Sequence, residues 1–401
     1  MTIVEFFDTE PSENVLAALR LQAERVVYVG FRQTMTDRRI RAVRRFYHGR
    51  KAAPQLVFLR VDDRDYPGVA AAIGDILARY PDCCFEMTGG GDLILAALGA
   101  AGAGRELCMF ELDVPTQALR PVRGGAFLPA GTPARLASVS VAESISLRGG
   151  ALASSAFRLD AGAPKNLRED MRAVWTAFLR QPGTWNRQCN LLAALCARSP
   201  AEGLRVEAEP RLLPDRAHLA RLLDAGLLLD FEETGGKAAF TFRSQQVKRL
   251  LTRAGDLLEL RVFLTASSAP AFFTDAVMGA QIDWDGQTPS DSRAAQDTAN
   301  EIDGLMMHGA VPLFISCKNG EVRKEALYEL DAVCARFGGR YAAKMLVATG
   351  LSGPEGSRQA LRKRAADMGI RLVENAERLS EAALLSELTS AVTRSGAVPL
   401  R

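Results

Sequence analysis

The sequence predicts an α/β protein in three segments: a Rossmann-like first domain, a winged-helix-like middle and a C-terminal mixed sheet flanked by helices. Three observations predict it. Up to about Leu112, short β-rich runs alternate with stretches of helical spacing; from about Pro164 to Phe242, three helical stretches run into a hairpin; and from Ser244 a long helical pattern leads into further strands and helices. Strand and helix in alternation imply right-handed crossovers and a parallel sheet covered on both faces. The expected boundaries are 1-154, 155-243 and 244-401.

In the first segment the strands are IVEFF, VVYVG at Val26 to Gly30, LVFLRV at Leu56 to Val61, CCFEM at Cys83 to Met87 and LCMFEL at Leu107 to Leu112. Between them Ser12 to Glu24 and Gly68 to Arg79 read as helices. Ligands of such sheets sit beyond the carboxyl ends of the strands. In the middle segment Asn166 to Arg180, Thr184 to Arg198 and Asp215 to Ala225 read as helices, followed by GLLLDFEE, the turn Thr234-Gly235-Gly236-Lys237 and AAFTF. A module of this kind between two larger domains is expected to serve as a linker and dimerisation element. The last segment reads as one helix from Ser244 to about Thr265, strands AVMGAQIDW, NEIDGLMM and VPLFISCKN, a helix over Glu321 to Phe337, strand AAKMLVAT, a helix over Glu355 to Met368, strand IRLVEN and a closing helix.

Composition narrows the class. With 48% apolar and 24% charged residues among 401, the chain is ordinary globular material for two or three domains. No apolar run approaches the roughly 20 residues of a membrane helix, and the acidic start lacks a secretory n-region, so a cytoplasmic protein is expected. Seven scattered cysteines without a CxxC pair point to buried thiols, and three histidines give little support to a histidine metal centre or a Ser/His/Asp triad. Net charge is +3; residues 155-254 hold 16 basic and 11 acidic side chains, too slight an excess for tight nonspecific nucleic-acid binding.

The hairpin from Asn300 to Asn319 carries the chemistry. Asp303 lies in an apolar strand, the chain turns at His308-Gly309-Ala310, and PLFIS delivers Lys318 as it ends. An acid and a lysine converging at a sheet edge suit phosphodiester hydrolysis, which needs carboxylate oxygens for Mg²⁺ or Mn²⁺ and a cation near the transition-state charge. Upstream, GDLLELRVF offers Glu259 as a third participant. In the first domain CCFEM runs into Thr88-Gly89-Gly90-Gly91-Asp92 and a helix, a place where backbone amides can meet phosphate. It is neither GxGxxG nor a P-loop, and tight helix packing explains the glycines equally well.

In GDLLE, NEID and FISCKN, taken in that order, the chain resembles the PD-(D/E)xK restriction-endonuclease-like nucleases attached to CARF sensor domains, activated by cyclic tetra-adenylate in type III CRISPR defence. Among these it is most similar to effectors that cleave DNA and RNA. The resemblance implies a metal-binding Asp303, a catalytic Lys318, a helical Glu259 and a metal contact from the Cys317 carbonyl. One departure stands out: the tripeptide reads Ser316-Cys317-Lys318, without the usual second carboxylate. Glu301, two residues before Asp303 on the same strand face, and Glu325 on the following helix are the substitutes, with plain solvent exposure the alternative for each.

The glycine run likewise resembles the TGG motif of CARF domains, which with the loop after the first strand lines a pocket shared across a homodimer. That implies Ser12, Asn14, Thr88, Gly89, Gly90, Gly91 and Asp92 at a bound nucleotide, with Arg32 a further contributor. Ser12 also suits helix capping. Two rival readings remain: a nucleotide-sensing winged-helix transcription regulator with a degenerate nuclease domain, and a sensor that slowly cleaves its own ring activator.

Overall fold

In a computed structural model, residues 1-159, 166-198, 203-286, 299-351 and 353-395 are described. Pro164, at the expected start of the helical middle, lies outside them. In chain order the first segment runs β1 (Thr2–Phe6), α1 (Glu13–Leu21), β2 (Arg25–Phe31), α2 (Asp37–His48), β3 (Gln55–Val61), α3 (Tyr66–Arg79), β4 (Cys84–Glu86), α4 (Asp92–Ala101), β5 (Cys108–Asp113) and β6 (Ala118–Arg123). Its sheet has the order β3-β2-β1-β4-β5-β6, parallel except for β6. Strand order reverses between β1 and β4, so the crevice for a ligand opens beyond their carboxyl ends, at the loops 7-12 and 87-91.

Helix α2, not anticipated from the sequence, is amphipathic and capped by Thr36, whose side chain accepts from the Arg39 amide. Its arginine-rich face obscures the four buried positions Ala42, Val43, Phe46 and Tyr47 that hold it to the sheet.

Next come α5 (Val141–Leu147), β7 (Ala151–Ser154) and β8 (Phe157–Arg158). Both strands pair with a strand more than a hundred residues later, β12 (Asp275–Asp283 below), so 151-158 extend the C-terminal sheet and the boundary expected at 154 falls inside that pairing. Such short strands carry no periodicity of their own; long-range hydrogen bonding recruits them.

The middle comprises α6 (Leu167–Leu179), α7 (Pro182–Cys196), β9 (Arg205–Ala208), α8 (Arg216–Asp224), β10 (Leu228–Thr234) and β11 (Lys237–Phe242). The hairpin gains β9 as a third strand, giving the order β10-β11-β9. Trp185, Cys189, Phe240 and Phe242 are fully buried in a core shared with the last segment.

That segment contains α9 (Gln245–Thr252), α10 (Asp256–Ala266), β12 (Asp275–Asp283), β13 (Ala299–His308), β14 (Val311–Lys318), α11 (Lys324–Phe337), β15 (Ala343–Ala348), α12 (Glu355–Asp367), β16 (Ile370–Val373) and α13 (Glu381–Ser395). The single helix expected over 244-265 is two, because the chain breaks at Arg253-Ala254-Gly255. Arg253 takes φ −129° and ψ 83°, outside the helical range, and each half then buries its own apolar face.

The sheet order is β16-β15-β14-β13-β12-β7, with β14, β15 and β16 parallel and the rest antiparallel. One face shares a core with α10, α13 and the middle segment. A second core joins its other side to α1, α2 and β1 of the first segment through Phe7, Phe46, Leu305 and Phe337. The sheets of the first and last segments are therefore packed against a common interior. All seven cysteines are free, and no helix among the described residues is long and apolar enough to cross a membrane.

Candidate functional site

The tight hairpin pairs His308 with Val311 across a two-residue loop, which carries β13 back as β14 and brings its far end beside Asp303. The Asp303 carboxylate accepts three hydrogen bonds there, all at Oδ2: from the Cys317 amide at 2.6 Å, the Ser316 hydroxyl at 3.2 Å and the Lys318 ammonium at 3.5 Å. Ser316, at the position of the missing acid, thus donates to the aspartate in place of a second carboxylate. Asp303 and Lys318 remain open to solvent, with side chains 16% and 35% exposed.

Glu259 reaches the same place from the first turn of α10. Burial pushes its carboxyl up to about 8, reinforced by Asp303, Asp256 and Glu301 and opposed by Lys318. Burial is the larger cause, and the three acids acting in the same direction outweigh the single lysine. The Cys317 thiol is raised for the same reasons, burial first and Asp303 second, and is an inert packing group.

The substitutes for the missing acid divide. Glu301 is exposed, accepts from Gln281 Nε2 at 2.9 Å and adds to the field on Glu259. Glu325 is exposed and pairs with its neighbour Lys324 at 4.0 Å. Among the described residues no three His, Cys, Asp or Glu side chains converge as a ready metal cage. The cluster is two carboxylates, Asp303 and Glu259, beside one lysine, Lys318.

One supporting group escaped the sequence reading. Asn319, next to Lys318, donates to Asn186 Oδ1 at 3.1 Å and to the Ala254 carbonyl at 3.0 Å, and accepts from Thr349 at 3.2 Å. Asn186 Nδ2 returns a bond to the Asn319 carbonyl at 2.8 Å. These bonds pin the end of β14 to α7, to the break before α10 and to the end of β15. The signal was the asparagine after Lys318; its partner, 133 residues away, could be found only in space.

At the crevice of the first sheet the glycine run is closely packed. A Cβ on Gly89 would stand 2.6 Å from the Phe6 carbonyl, and one on Gly90, whose φ is +100°, 2.6 Å from Phe6 Cβ. The Thr88 hydroxyl is engaged with Glu86 and with the Leu112 amide and carbonyl at 2.8 and 3.1 Å, so it ties β4 to β5. Asn14 is buried and closes both ends of its amide on the Asp8 backbone, at 2.8 and 2.9 Å, which makes it the brace of the loop. Ser12 forms no side-chain cap, because its backbone is already helical (φ −65°, ψ −37°) and turns the hydroxyl away from the α1 amides. Asp92 and Arg32 are exposed.

Beneath the glycines lies a buried acid pair not anticipated from the sequence: Glu5 on β1 and Glu86 on β4, neighbours in register and each 1% exposed. Burial, then each other's presence, lifts Glu5 well above the carboxylate range; Glu86 rises to about 7, mainly through burial, against the hydrogen bonds from Thr88. The first residue of α1 adds Glu13, buried and thereby raised to about 7. Its Oε1 accepts from the Tyr341 hydroxyl at 2.6 Å and pairs with Arg340 at 3.4 Å. Glu10 pairs with Arg148 and accepts from the Arg340 amide at 3.1 Å. Loop 8-13 is thereby fastened to the turn between α11 and β15.

No protein-family model and no curated protein sequence gives a significant match to the chain. Solved structures do match in fold. Protein VC1899 from Vibrio cholerae aligns with a TM-score of 0.76 and 18% identity, over 98% of each chain. Can2 from Sulfobacillus thermosulfidooxidans, solved in complex with cyclic tetra-adenylate, aligns with a TM-score of 0.66 and 17% identity, over 98% of this chain and 99% of that one. The α/β architecture expected from the sequence is thus shared from end to end with solved proteins, one of them holding a cyclic oligonucleotide.

Proposed function

We propose that the chain is a divalent-metal-dependent nuclease that hydrolyses DNA, RNA or both, is switched on by cyclic tetra-adenylate, and acts as a cytoplasmic homodimer in type III CRISPR defence. The observation that carries this reading is the convergence of Asp303, Lys318 and Glu259 at one end of the C-terminal sheet. Its donor chemistry fits Mg²⁺ or Mn²⁺. Every hydrogen bond described for Asp303 falls on Oδ2, leaving Oδ1 for another partner, and Glu259 is crowded by acids that a cation would relieve. Glu259, Asp303 and the Cys317 carbonyl would hold the ion, all through oxygen.

A bound divalent ion supplies charge against the phosphoryl oxygens and a more acidic water. The protein's own groups do the rest. Lys318 spends one ammonium donor on Asp303 and keeps others for a non-bridging phosphate oxygen or the attacking water. Asn319 fixes where Lys318 leaves its strand. Glu301 contributes to the local field without being a primary ligand.

In the sensor, the activator would lie across the loops 7-12 and 87-91, its phosphates facing the first amides of α4 and its remainder facing Ser12 and Arg32. Two copies of this crevice around a two-fold axis would treat both halves of a ring alike. The likeness in fold to a protein solved with that ligand supports this placement. Activation requires that the ligand favour one arrangement of the joined domains over another.

The test is cleavage of labelled single-stranded DNA and RNA in Mn²⁺, with and without cyclic tetra-adenylate, by the wild type, Asp303→Ala and Lys318→Ala. Ligand- and metal-dependent cleavage lost in both variants is expected. An inert wild type that instead binds a specific duplex would overturn the reading in favour of a transcription regulator.

A further inference from the structure

A cleft of about 400 Å³ lies on the far side of the loop 7-12 from the glycine run, bounded by Thr9 and Pro11 of that loop, where α2 of the sensor faces the end of α5 and helix α11 of the C-terminal domain. Arg38, Arg39, Arg148 and Arg336 line it, together with Gln33 and Thr36. Their charge is poorly matched. Arg148 pairs with Glu10, but Arg38 donates to the Gly149 carbonyl at 2.8 Å, Arg39 to the Thr34 carbonyl at 2.8 Å, and Arg336 to the carbonyls of Arg148 and Trp284 at 2.9 and 3.3 Å. Among the described residues, none of these last three meets a carboxylate. Carbonyls orient the guanidinium groups and leave their charge standing. Burial, then the nearness of Arg38 and Arg148, lowers the affinity of Arg336 for its proton, as expected of like charges held together.

A second cleft of about 300 Å³ shares Arg38, Ala42 and Gly149 with the first and adds Arg41, Arg45 and a single carboxylate, Asp285, so arginines outnumber acids there three to one. Guanidinium groups gathered in a concave site match the planar, bidentate geometry of phosphate. No aromatic side chain lines either cleft, so nothing there would stack a base. We infer that this arginine-lined cleft is a binding site for a small phosphate-bearing anion, recognised by its phosphate groups and bridging the sensor and C-terminal domains. The site stands whether or not the nuclease assignment does, because its arginines are separate from Asp303, Lys318 and Glu259, although it borders the loop 7-12 of the proposed activator crevice.

Titration calorimetry on the full chain with inorganic pyrophosphate tests it, beside sodium chloride at matched ionic strength and a short single-stranded oligonucleotide. Saturable pyrophosphate binding is expected, weakened at least tenfold in Arg38→Gln and Arg336→Gln and by an intermediate factor in Arg38→Lys, which keeps the charge but not the planar pair of donors. Because Arg38 is exposed, its variants remain informative should Arg336→Gln fail to fold. Absence of binding, equal binding in the Gln variants, or heats reproduced by chloride would overturn the proposal. So would binding of the oligonucleotide without pyrophosphate, which would make the cleft a nucleic-acid surface.

Discussion

The Tyr341 hydroxyl donates to Glu13 Oε1 at 2.6 Å, joining the turn after α11 to the start of α1, at the edge of the crevice of the first sheet. Glu13 is almost wholly buried, and a Cβ on Gly89 would stand 3.8 Å from its other carboxylate oxygen. A ligand pressing on the glycine loop therefore meets a side chain that is already bonded to the C-terminal domain.

Tyr341→Phe removes this bond and keeps the ring. Cyclic tetra-adenylate should bind the variant with an affinity within about threefold of wild type, while the maximal activation of cleavage falls several-fold. Binding by calorimetry and cleavage at saturating ligand separate the two. Unchanged activation would mean that the contact is only structural.

Stability should respond to pH through the buried acids of the first domain. Glu13 and Glu86 protonate near 7 in the folded protein, against an ordinary value of 4.5, and burial raises Glu5 as well. Between about pH 4.5 and 7 the folded state holds more protons than the unfolded one, so stability falls as pH rises through that window. Glu13→Gln removes one of these protons and should flatten the slope of Tm between pH 5 and 7; an unaltered slope would exclude Glu13 as a contributor.

Ser316→Glu places a carboxylate beside Asp303 where a hydroxyl now donates. Without metal the two like charges should lower Tm, and Mn²⁺ should restore more of it than in the wild type. Scanning calorimetry in chelator and in Mn²⁺ reads this directly. Equal metal effects in the two proteins would count against an ion at this position.

Gly90→Ala forces a side chain onto φ +100° and against Phe6. A loss of roughly 1–3 kcal/mol is expected from strain and overpacking, measurable by denaturant unfolding. A neutral result would show that the loop can shift away from Phe6.

Asn319→Ala should leave Lys318 chemically intact but less firmly placed, lowering kcat more than it raises KM. Asn186→Ala should do the same to a smaller degree, because Asn319 keeps its bond to the Ala254 carbonyl. An effect confined to KM would argue for a substrate contact instead.

Much of the architecture is legible in the sequence because period-two and period-3.6 patterns follow from which face each element buries. The runs IVEFF, VVYVG and LVFLRV became β1, β2 and β3, and the alternation itself implied a parallel sheet. Asp303 and Lys318 could be paired because a two-residue turn links their strands, which fixes register locally. Where burial was interrupted, the pattern misled: the apolar positions of α9 and α10 read as one helix across the break at Gly255.

The sequence by itself determined the fold class, the hairpin with its acid and lysine, and the glycine loop, since each depends on neighbours only a few residues apart. Tertiary structure alone decided that Asn14 braces its own loop, that β7 and β8 join the C-terminal sheet, that Asn186 supports Asn319 and that Glu13 reaches Tyr341. Those relationships join residues brought together by long-range packing, and no local periodicity records which distant surfaces will meet.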